Sequence, residues 1–178
     1  MEMIRILGVD PSLRNTGLSI VTFNTELEPN DPEAFTVSNC QVLVNPQKYK
    51  GTEAILNMLD MLHMESAKEC YKSADTIIVE SPPIMFNKNW SGGTVSAIAH
   101  ISGGAVAMLG IEKAHLFRPN EWNKSRKKDV THANTIAVLG DADKWHYEKR
   151  IKSEKFMEHI LDAASMALWW IKSNYIED

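Results

Sequence analysis

The sequence predicts an α/β fold with a five-stranded mixed sheet, in which three antiparallel strands precede two parallel strands and helices flank the sheet. Two observations lead to this prediction. Within residues 1–45, three apolar runs follow one another with only turns or loops between them, which is typical of an antiparallel meander. From residue 52 onward, segments with apolar residues at helical spacing alternate with two short apolar runs, which is typical of parallel strands joined by helices.

The strands of the meander are predicted at residues 3–10, 17–24 and 36–45. The first connection is short and contains Pro, which ends a strand because it lacks a backbone N–H. The second connection is long and rich in Pro, Asn and Asp, so we expect an additional loop over residues 26–35.

The remaining elements alternate between helix and strand. A helix is predicted over residues 52–72, because apolar residues recur there three or four positions apart and Thr52 can cap the first turn. The following elements are a strand at 76–80, a helix at about 92–109, a strand at 114–118, a helix at 127–139 and a last helix at 155–174.

The composition indicates one globular domain over residues 1–178, with 24% charged residues. Residues 92–111 come closest to a membrane span, but Ser, Thr, His and Gly dilute them, and the N-terminus does not resemble a secretory signal. Cys40 and Cys70 lack metal-type spacing, so we expect reduced thiols in a cytosol. No Gly-rich loop with Gly-Lys-Ser/Thr is present, so a P-loop nucleotide site is not expected.

An acidic residue ends the first predicted strand. The apolar run that starts at Ile4 leads into Asp10, Pro11 stops the strand, and a second apolar run begins at Gly17. A carboxylate at the end of an otherwise buried strand is costly unless a cation meets it. Asp10 is therefore either a ligand for a metal ion or a residue that caps the turn, which is a common role for Asp.

Two further segments favour the metal. Residues 76–81 again form a β-branched strand that ends in an acid, Glu80, at the end of the sheet where α/β folds place their sites. In the last predicted helix, His159 and Asp162 are three positions apart and project from one face. Several carboxylates suit hard cations such as Mg²⁺ or Mn²⁺, and two such ions can assist hydrolysis of a phosphodiester.

The same residues carry a resemblance to a known family. They are Gly8-Val9-Asp10-Pro11-Ser12 with Thr16-Gly17, then Ile78-Val79-Glu80, then His159-x-x-Asp162-Ala163. In this ordered set the chain resembles the RuvC family of Holliday junction resolvases, within the ribonuclease H-like superfamily. The predicted order of strands and helices is also the ribonuclease H-like order.

The resemblance implies a Mg²⁺-dependent endodeoxyribonuclease, with Mn²⁺ as a substitute, that works as a homodimer. Its implied substrates are four-way (Holliday) and other branched DNA, cut by two-metal-ion hydrolysis. It places the catalytic and metal-binding positions on Asp10, Glu80, His159 and Asp162; some members of the family have Asp where His159 stands. Ser12 replaces a common Gly, and the short chain resembles a phage-encoded relative. Its expected location is the cytoplasm of a bacterium, or of the host if it is phage-encoded.

Basic residues are concentrated in two stretches, although the net charge is −4 and nucleic-acid-binding domains are usually basic. The first stretch includes Lys124, Arg126, Lys127 and Lys128, which we expect to contact DNA phosphates. The second lies within residues 144–155. The alternative for both stretches is a solvated charged surface.

The segment after Glu80 supplies the remaining predictions. It contains Phe86 and Lys88, which we expect to bind DNA. Phe86 is either an apolar wedge that inserts between base steps or a side chain that packs on the core. The Gly- and Ala-rich helix at 92–109 is the candidate dimer interface, unless its small residues serve packing within the subunit.

Other functions use part of the same pattern. Another ribonuclease H-like nuclease, such as one that cuts RNA in hybrids, would use the same acids. A nucleotide-binding domain of the actin and sugar-kinase type also begins with a strand, an Asp turn and a Gly, but needs a second duplicated domain for which 178 residues are too few. A catalytically inactive nucleic-acid-binding module is expected to lose at least one acid, whereas Asp10, Glu80 and Asp162 are all present.

Overall fold

One mixed sheet forms the centre of the protein. The computed structural model describes residues 2–82, 92–123, 127–140, 145 and 154–176. The strands in this part of the chain are β1 (Met3–Asp10), β2 (Asn15–Asn24), β3 (Phe35–Val44), β4 (Thr76–Glu80) and β5 (Ala114–Phe117). They lie in the order β3-β2-β1-β4-β5, antiparallel from β3 to β1 and parallel from β1 to β5. The predicted sheet is confirmed.

Helices cover both faces of the sheet. They are α1 (Gly51–Ser66), α2 (Glu69–Lys72), α3 (Gly92–Leu109), α4 (Pro119–Trp122), α5 (Lys128–Leu139) and α6 (Glu154–Tyr175). The single helix expected over residues 52–72 is interrupted at Lys68, whose backbone is extended. The interruption lets the buried Tyr71 turn toward β3, where its hydroxyl donates a hydrogen bond to the Asn39 carbonyl at 3.1 Å. The short helix α4 was not predicted.

The side chains of β1 alternate between the two faces, as the pleat of a strand requires. Ile6 belongs to the core that α6 covers, whereas Leu7 and Val9 belong to the core that α1 and α3 cover. Asp10 continues the even-numbered series and is therefore directed to the α6 face.

Strand β4 repeats this alternation in the same register. Ile78 lies in the core beneath α6, and Ile77 and Val79 lie in the core beneath α1 and α3. Glu80, two residues after Ile78, therefore shares the α6 face with Asp10. The two cores are thus divided by the sheet, and both strand-terminal acids emerge on the same side of it.

Helix α3 has a mean hydropathy of 1.3 over 18 residues, so by length and composition alone it could cross a membrane. The same composition suits a helix that packs on a sheet. Ala97, Ile101, Ala105 and Leu109 are buried, and Ile101, Ala105 and Leu109 join the core beneath α1 and α3. The core therefore accounts for one face of α3, and 28% of these 18 residues are buried.

Candidate active site

Asp10 and Glu80 end neighbouring parallel strands. Val9 pairs with Val79 in the β1–β4 ladder, so the next residue of each strand lies at the same edge of the sheet. Glu80 is also fixed from behind, because the Ser102 hydroxyl of α3 donates a hydrogen bond to its backbone carbonyl at 2.9 Å. The register of β1 against β4 therefore explains why the two terminal acids lie at the same edge of the sheet.

Helix α6 reaches this edge because two glycines let it lie against the sheet. A Cβ at Gly8 would collide with the backbone carbonyl of Ala163, and a Cβ at Gly17 would collide with that of His159. The Ser19 hydroxyl adds a hydrogen bond to the Ile160 carbonyl at 3.0 Å. These contacts of β1 and β2 with one stretch of α6 bring His159 and Asp162 to the two strand ends.

His159 binds the carboxylate of Asp10 directly. The distance from His159 Nδ1 to Asp10 Oδ2 is 2.6 Å, and both side chains are largely buried. Burial raises the pKa of Asp10, the hydrogen bond from His159 opposes this, and the charge of Asp162 adds to the rise, so the pKa lies above its ordinary value. Ionisation of Asp10 is therefore unfavourable in this environment, and His159 is the hydrogen-bond partner that partly offsets the cost.

Glu80 has less compensation for its charge. Among the described residues no hydrogen bond or ion pair reaches its carboxylate. Burial raises its pKa well above the ordinary 4.5, and repulsion by Asp10 and Asp162 raises it further. A nearby cation would relieve both effects.

Asp162 is held by two side chains of α5. Its Oδ1 lies 2.7 Å from His132 Nε2, and its Oδ2 lies 2.7 Å from Lys128 Nζ. The Lys128 ammonium also lies 3.4 Å from Glu158 Oε2. Burial raises the pKa of Asp162, but the hydrogen bonds from His132 and Lys128 outweigh it, and the pKa lies below its ordinary value.

The sequence reasoning missed His132 and gave Lys128 a different place. Lys128 was expected on a phosphate-binding surface, and the structure puts its ammonium in the site as a partner of Asp162. The available signal was their spacing, since residues four apart share one face of a helix. Lys127 is exposed just before α5. Four other residues predicted to bind DNA lie outside the described residues: Phe86, Lys88, Lys124 and Arg126.

The donor chemistry fits a hard cation. Asp10, Glu80 and Asp162 carry carboxylate oxygens, which hard cations prefer, and two of the three have raised pKa values that a cation would lower. Among the described residues, no three His, Cys, Asp or Glu side chains are arranged around one metal position. Asp162 instead faces Lys128, whose ammonium supplies positive charge there, and His132, which hydrogen-bonds it.

An open groove of about 190 Å³ runs past two of the acids. We call it the carboxylate groove; it is lined by Glu80, Pro119, Trp122, Asn123, Lys128, Thr131 and Asp162. It gives a polymer or an ion access to the carboxylates of Glu80 and Asp162 from solvent. The site is therefore a surface cleft between a sheet edge and three helices, a form that suits a large substrate.

No known family model and no curated protein sequence matches the chain. Solved structures match its fold. Thermus thermophilus RuvC in complex with a Holliday junction substrate superposes with a TM-score of 0.65 at 13% identity, over 97% of this chain and 98% of that chain. The yeast mitochondrial Holliday junction resolvase Ydc2 superposes with a TM-score of 0.52 at 12% identity, over 94% and 80% of the two chains.

The fowlpox virus resolvase in complex with Holliday junction DNA also has a TM-score of 0.52 and 12% identity, over 96% of this chain and 98% of that chain. The similarity to RuvC and to the fowlpox enzyme thus extends over nearly the full length of both chains, so it concerns the complete sheet with its helices. The chain therefore has the ribonuclease H-like fold of RuvC and related Holliday junction resolvases, which confirms at the level of the fold the resemblance carried by its motifs.

Proposed function

We propose that this protein is a divalent-metal-dependent endonuclease that cuts branched DNA, above all four-way junctions. One observation carries the proposal: Asp10 and Glu80 end adjacent parallel strands, and Asp162 of α6 meets them on the same face of the sheet. Asp10 and Glu80 have raised pKa values, in part because of repulsion by neighbouring acids, and Glu80 and Asp162 line an open groove, so the arrangement suits cations. Its fold neighbours include two resolvases bound to Holliday junction DNA.

The chain's own residues divide the work. Mg²⁺, or Mn²⁺ in its place, would neutralise the charge that develops on the scissile phosphate and make water a better nucleophile. Asp10 would be shared by two ions, while Glu80 and Asp162 would each hold one. His159 either completes the second site or orients the attacking water, and its bond to Asp10 fixes that carboxylate.

Lys128 and His132 hold Asp162 in position from α5, and Lys128 can turn toward a phosphate once an ion takes its place. Lys127 is exposed beside it and suits a contact to the DNA backbone. We place Phe86, Lys88, Lys124 and Arg126 on the same DNA-binding surface by sequence alone. Such a protein would act in a bacterial or host cytoplasm.

We further propose a homodimer with two sites on one face, because a four-way junction has two equivalent strands to cut. Helix α3 is the candidate interface. Its side opposite the core is exposed and carries His100 together with four small residues: Ser96, Ala99, Gly103 and Ala107. Small side chains allow two helices to approach closely. Sedimentation at micromolar concentration tests this assembly, and a monomer there would contradict it.

The test of the activity is cleavage of labelled linear, Y-shaped and four-way DNA and of an RNA–DNA hybrid, with Mg²⁺, with Mn²⁺ or with EDTA. We expect metal-dependent nicking of four-way and Y-shaped DNA and little cleavage of linear duplex. Cleavage of the RNA strand of the hybrid in preference to DNA would show a different ribonuclease H-like nuclease. Binding without any cleavage would show an inactive nucleic-acid-binding module.

A further inference from the structure

A second, smaller pocket adjoins the carboxylate groove. It encloses about 120 Å³ between α4, α5 and α6. Trp122, Asn123 and Thr131 line both the pocket and the carboxylate groove, so the two are continuous. Ligand pockets for drug-sized molecules are typically about 300–1,000 Å³. This pocket therefore suits one flat ring system and not a whole nucleotide.

The pocket follows Asp162 along one face of α6. Ser165, Trp169 and Lys172 line it, and they come three, seven and ten positions after Asp162. With a rise of about 1.5 Å per residue, these positions lie roughly 4.5 to 15 Å beyond Asp162. One strand of a duplex advances about 3.4 Å per nucleotide. The pocket is thus within one to a few nucleotides of a phosphate held at the carboxylates.

Two polar atoms of the residues that line the pocket have no hydrogen-bond partner among the described residues. Trp122 is only 7% exposed, and within the described residues its indole Nε1–H has no acceptor. The Oδ1 atom of Asn123 is likewise buried and, in that same part of the chain, has no donor. The neighbouring hydroxyls of Thr135 and Ser165 are paired with each other at 2.7 Å. Since buried polar groups are nearly always hydrogen-bonded, one unused donor and one unused acceptor point to a ligand.

We propose that this pocket binds one unpaired nucleobase of the DNA strand that is cut; the inference rests on the proposed function. The Watson–Crick edge of every base carries an acceptor beside a donor; to pair with it, the buried Trp122 N–H and Asn123 oxygen turn toward the pocket when the base binds. In a duplex, the Watson–Crick edge of each base is already hydrogen-bonded to the complementary base. The pocket therefore distinguishes DNA with unpaired bases near the cut from continuous duplex.

The remaining lining fits the same ligand. Trp169 lines the pocket and is held by edge-to-face contacts with Phe117 and Trp170, and an aromatic ring can stack on any base because every base has a π-face. Lys172 is exposed at the rim and carries the positive charge that a sugar-phosphate backbone would meet. An apolar side chain from a protein partner would leave the donor and the acceptor unsatisfied.

The test is a thermodynamic cycle that combines abasic sites in the DNA with substitutions in the pocket. Single abasic sites are placed in turn within three nucleotides of the cut in a four-way junction, and binding is measured with EDTA present. For the unaltered protein, we expect one position at which loss of the base weakens binding roughly tenfold, the scale of base stacking on an aromatic ring. Trp122→Phe keeps the ring and removes the N–H, so intact DNA should bind roughly three- to tenfold more weakly. The abasic penalty should fall by the same factor.

Trp170→Phe is the matched control. The indole Nε1 of Trp170 is also buried without a partner among the described residues, but Trp170 packs on His115 and does not line the pocket. This variant should keep the full abasic penalty. Asn123→Ala supplies a second pocket variant and should behave like Trp122→Phe. Thermal unfolding of each variant verifies that it is folded.

The proposal is overturned if no abasic position matters, or if the penalty is unchanged in both pocket variants. It is also overturned if the pocket variants change only the mass of the protein in solution, which would indicate a protein ligand. These results leave metal-dependent cleavage intact and so leave the proposed function standing. If the unaltered protein neither binds nor cuts branched DNA, both proposals fail.

Discussion

His159 Nδ1 lies 2.6 Å from Asp10 Oδ2, although the two residues are 149 positions apart. Asp10 ends the first strand, and His159 lies on the last described helix. The contact joins the two ends of the chain at the point where the proposed chemistry takes place. Any change that moves α6 on the sheet will therefore alter the Asp10 carboxylate as well as Asp162.

Removing one charge from the carboxylate set should stop cleavage and spare binding. Asp10→Asn, Glu80→Gln and Asp162→Asn each take away a ligand for a cation that contributes several kcal/mol to catalysis. We expect at least about a thousandfold loss of nicking rate, with junction affinity kept because phosphate contacts dominate it. Asp60→Asn, at an exposed acid of α1, is the control and should remain active. A cleavage rate near normal in any of the three variants would contradict the site.

The close contact of α6 with β1 can be tested by adding one methyl group. Gly8→Ala places a Cβ against the Ala163 carbonyl, and we expect destabilisation by about 1–3 kcal/mol or more, with loss of activity. Gly92→Ala is the matched control, because no atom lies within 4 Å of the position of its Cβ and the residue begins helix α3. There the change should be neutral or stabilising by up to about 1 kcal/mol. Denaturant unfolding measures both, and equal effects would argue against the contact.

Glu80 should make the metal-free protein less stable as pH rises. Its raised pKa means that the folded protein keeps the Glu80 proton at pH values where the unfolded chain has released it. The free energy of unfolding therefore falls as pH rises from about the ordinary 4.5 through the raised pKa. Asp162 affects the pH dependence of stability in the opposite direction. Because its pKa is lowered in the folded protein, its contribution to the free energy of unfolding is lost only as pH falls below the ordinary 3.8. The measurement is the melting temperature of the unaltered protein and of Glu80→Gln as a function of pH, with EDTA present. The difference between the two proteins should be constant at low pH. Above about the ordinary 4.5, the melting temperature of the unaltered protein should fall more steeply with pH than that of Glu80→Gln.

Divalent cations should recover the stability that the carboxylates lose. An ion that binds only the folded state stabilises it by about 2.7 kcal/mol at a concentration one hundred times its dissociation constant. We expect Mg²⁺ or Mn²⁺ to raise the melting temperature of the unaltered protein at neutral pH, and Glu80→Gln to show a smaller rise. The same rise in both proteins would mean that the ion binds elsewhere.

Lys127 and Lys128 should differ in their effects on DNA binding. Lys127→Ala removes an exposed charge, so affinity for every branched substrate should fall similarly and the salt dependence should decrease by about one unit of slope. Lys128→Ala also leaves Asp162 without one of its partners, so it should change cleavage as well. Lys72→Ala is the control, because Lys72 precedes β4 at the opposite end of the sheet from Glu80. An unchanged slope in Lys127→Ala would assign this residue to a solvated surface.

The sheet and the meeting of its acids could be predicted from sequence because both depend on local rules. A strand alternates its side chains between two faces, and adjacent parallel strands in register bring equal positions to one edge, so Asp10 and Glu80 meet once β1 and β4 pair. The same rules do not show where a helix docks. The interruption at Lys68 depends on burial of Tyr71 against β3, where its partner Asn39 lies 32 residues earlier.

The part of the site that α5 supplies could not be predicted for the same reason. Lys128 and His132 act on Asp162, which is 34 and 30 positions further along the chain, through the packing of α5 on α6. A lysine and a histidine four apart are common on exposed helix faces, so their spacing alone does not select them. Only the tertiary contact shows that both side chains bind the Asp162 carboxylate.

The position of α6 late in the sequence determines when, during synthesis, the set of acids becomes complete. Asp10 and Glu80 leave the ribosome well before residues 154–175, and Asp162 and His159 come with that last described helix. A nascent chain up to about residue 150 holds two of the acids and lacks the third, together with the histidine that fixes Asp10. If the protein cuts nucleic acid as proposed, it acquires that capacity only after α6 has been synthesised and has docked on Gly8 and Gly17. Until then the nascent chain carries an incomplete set of acids.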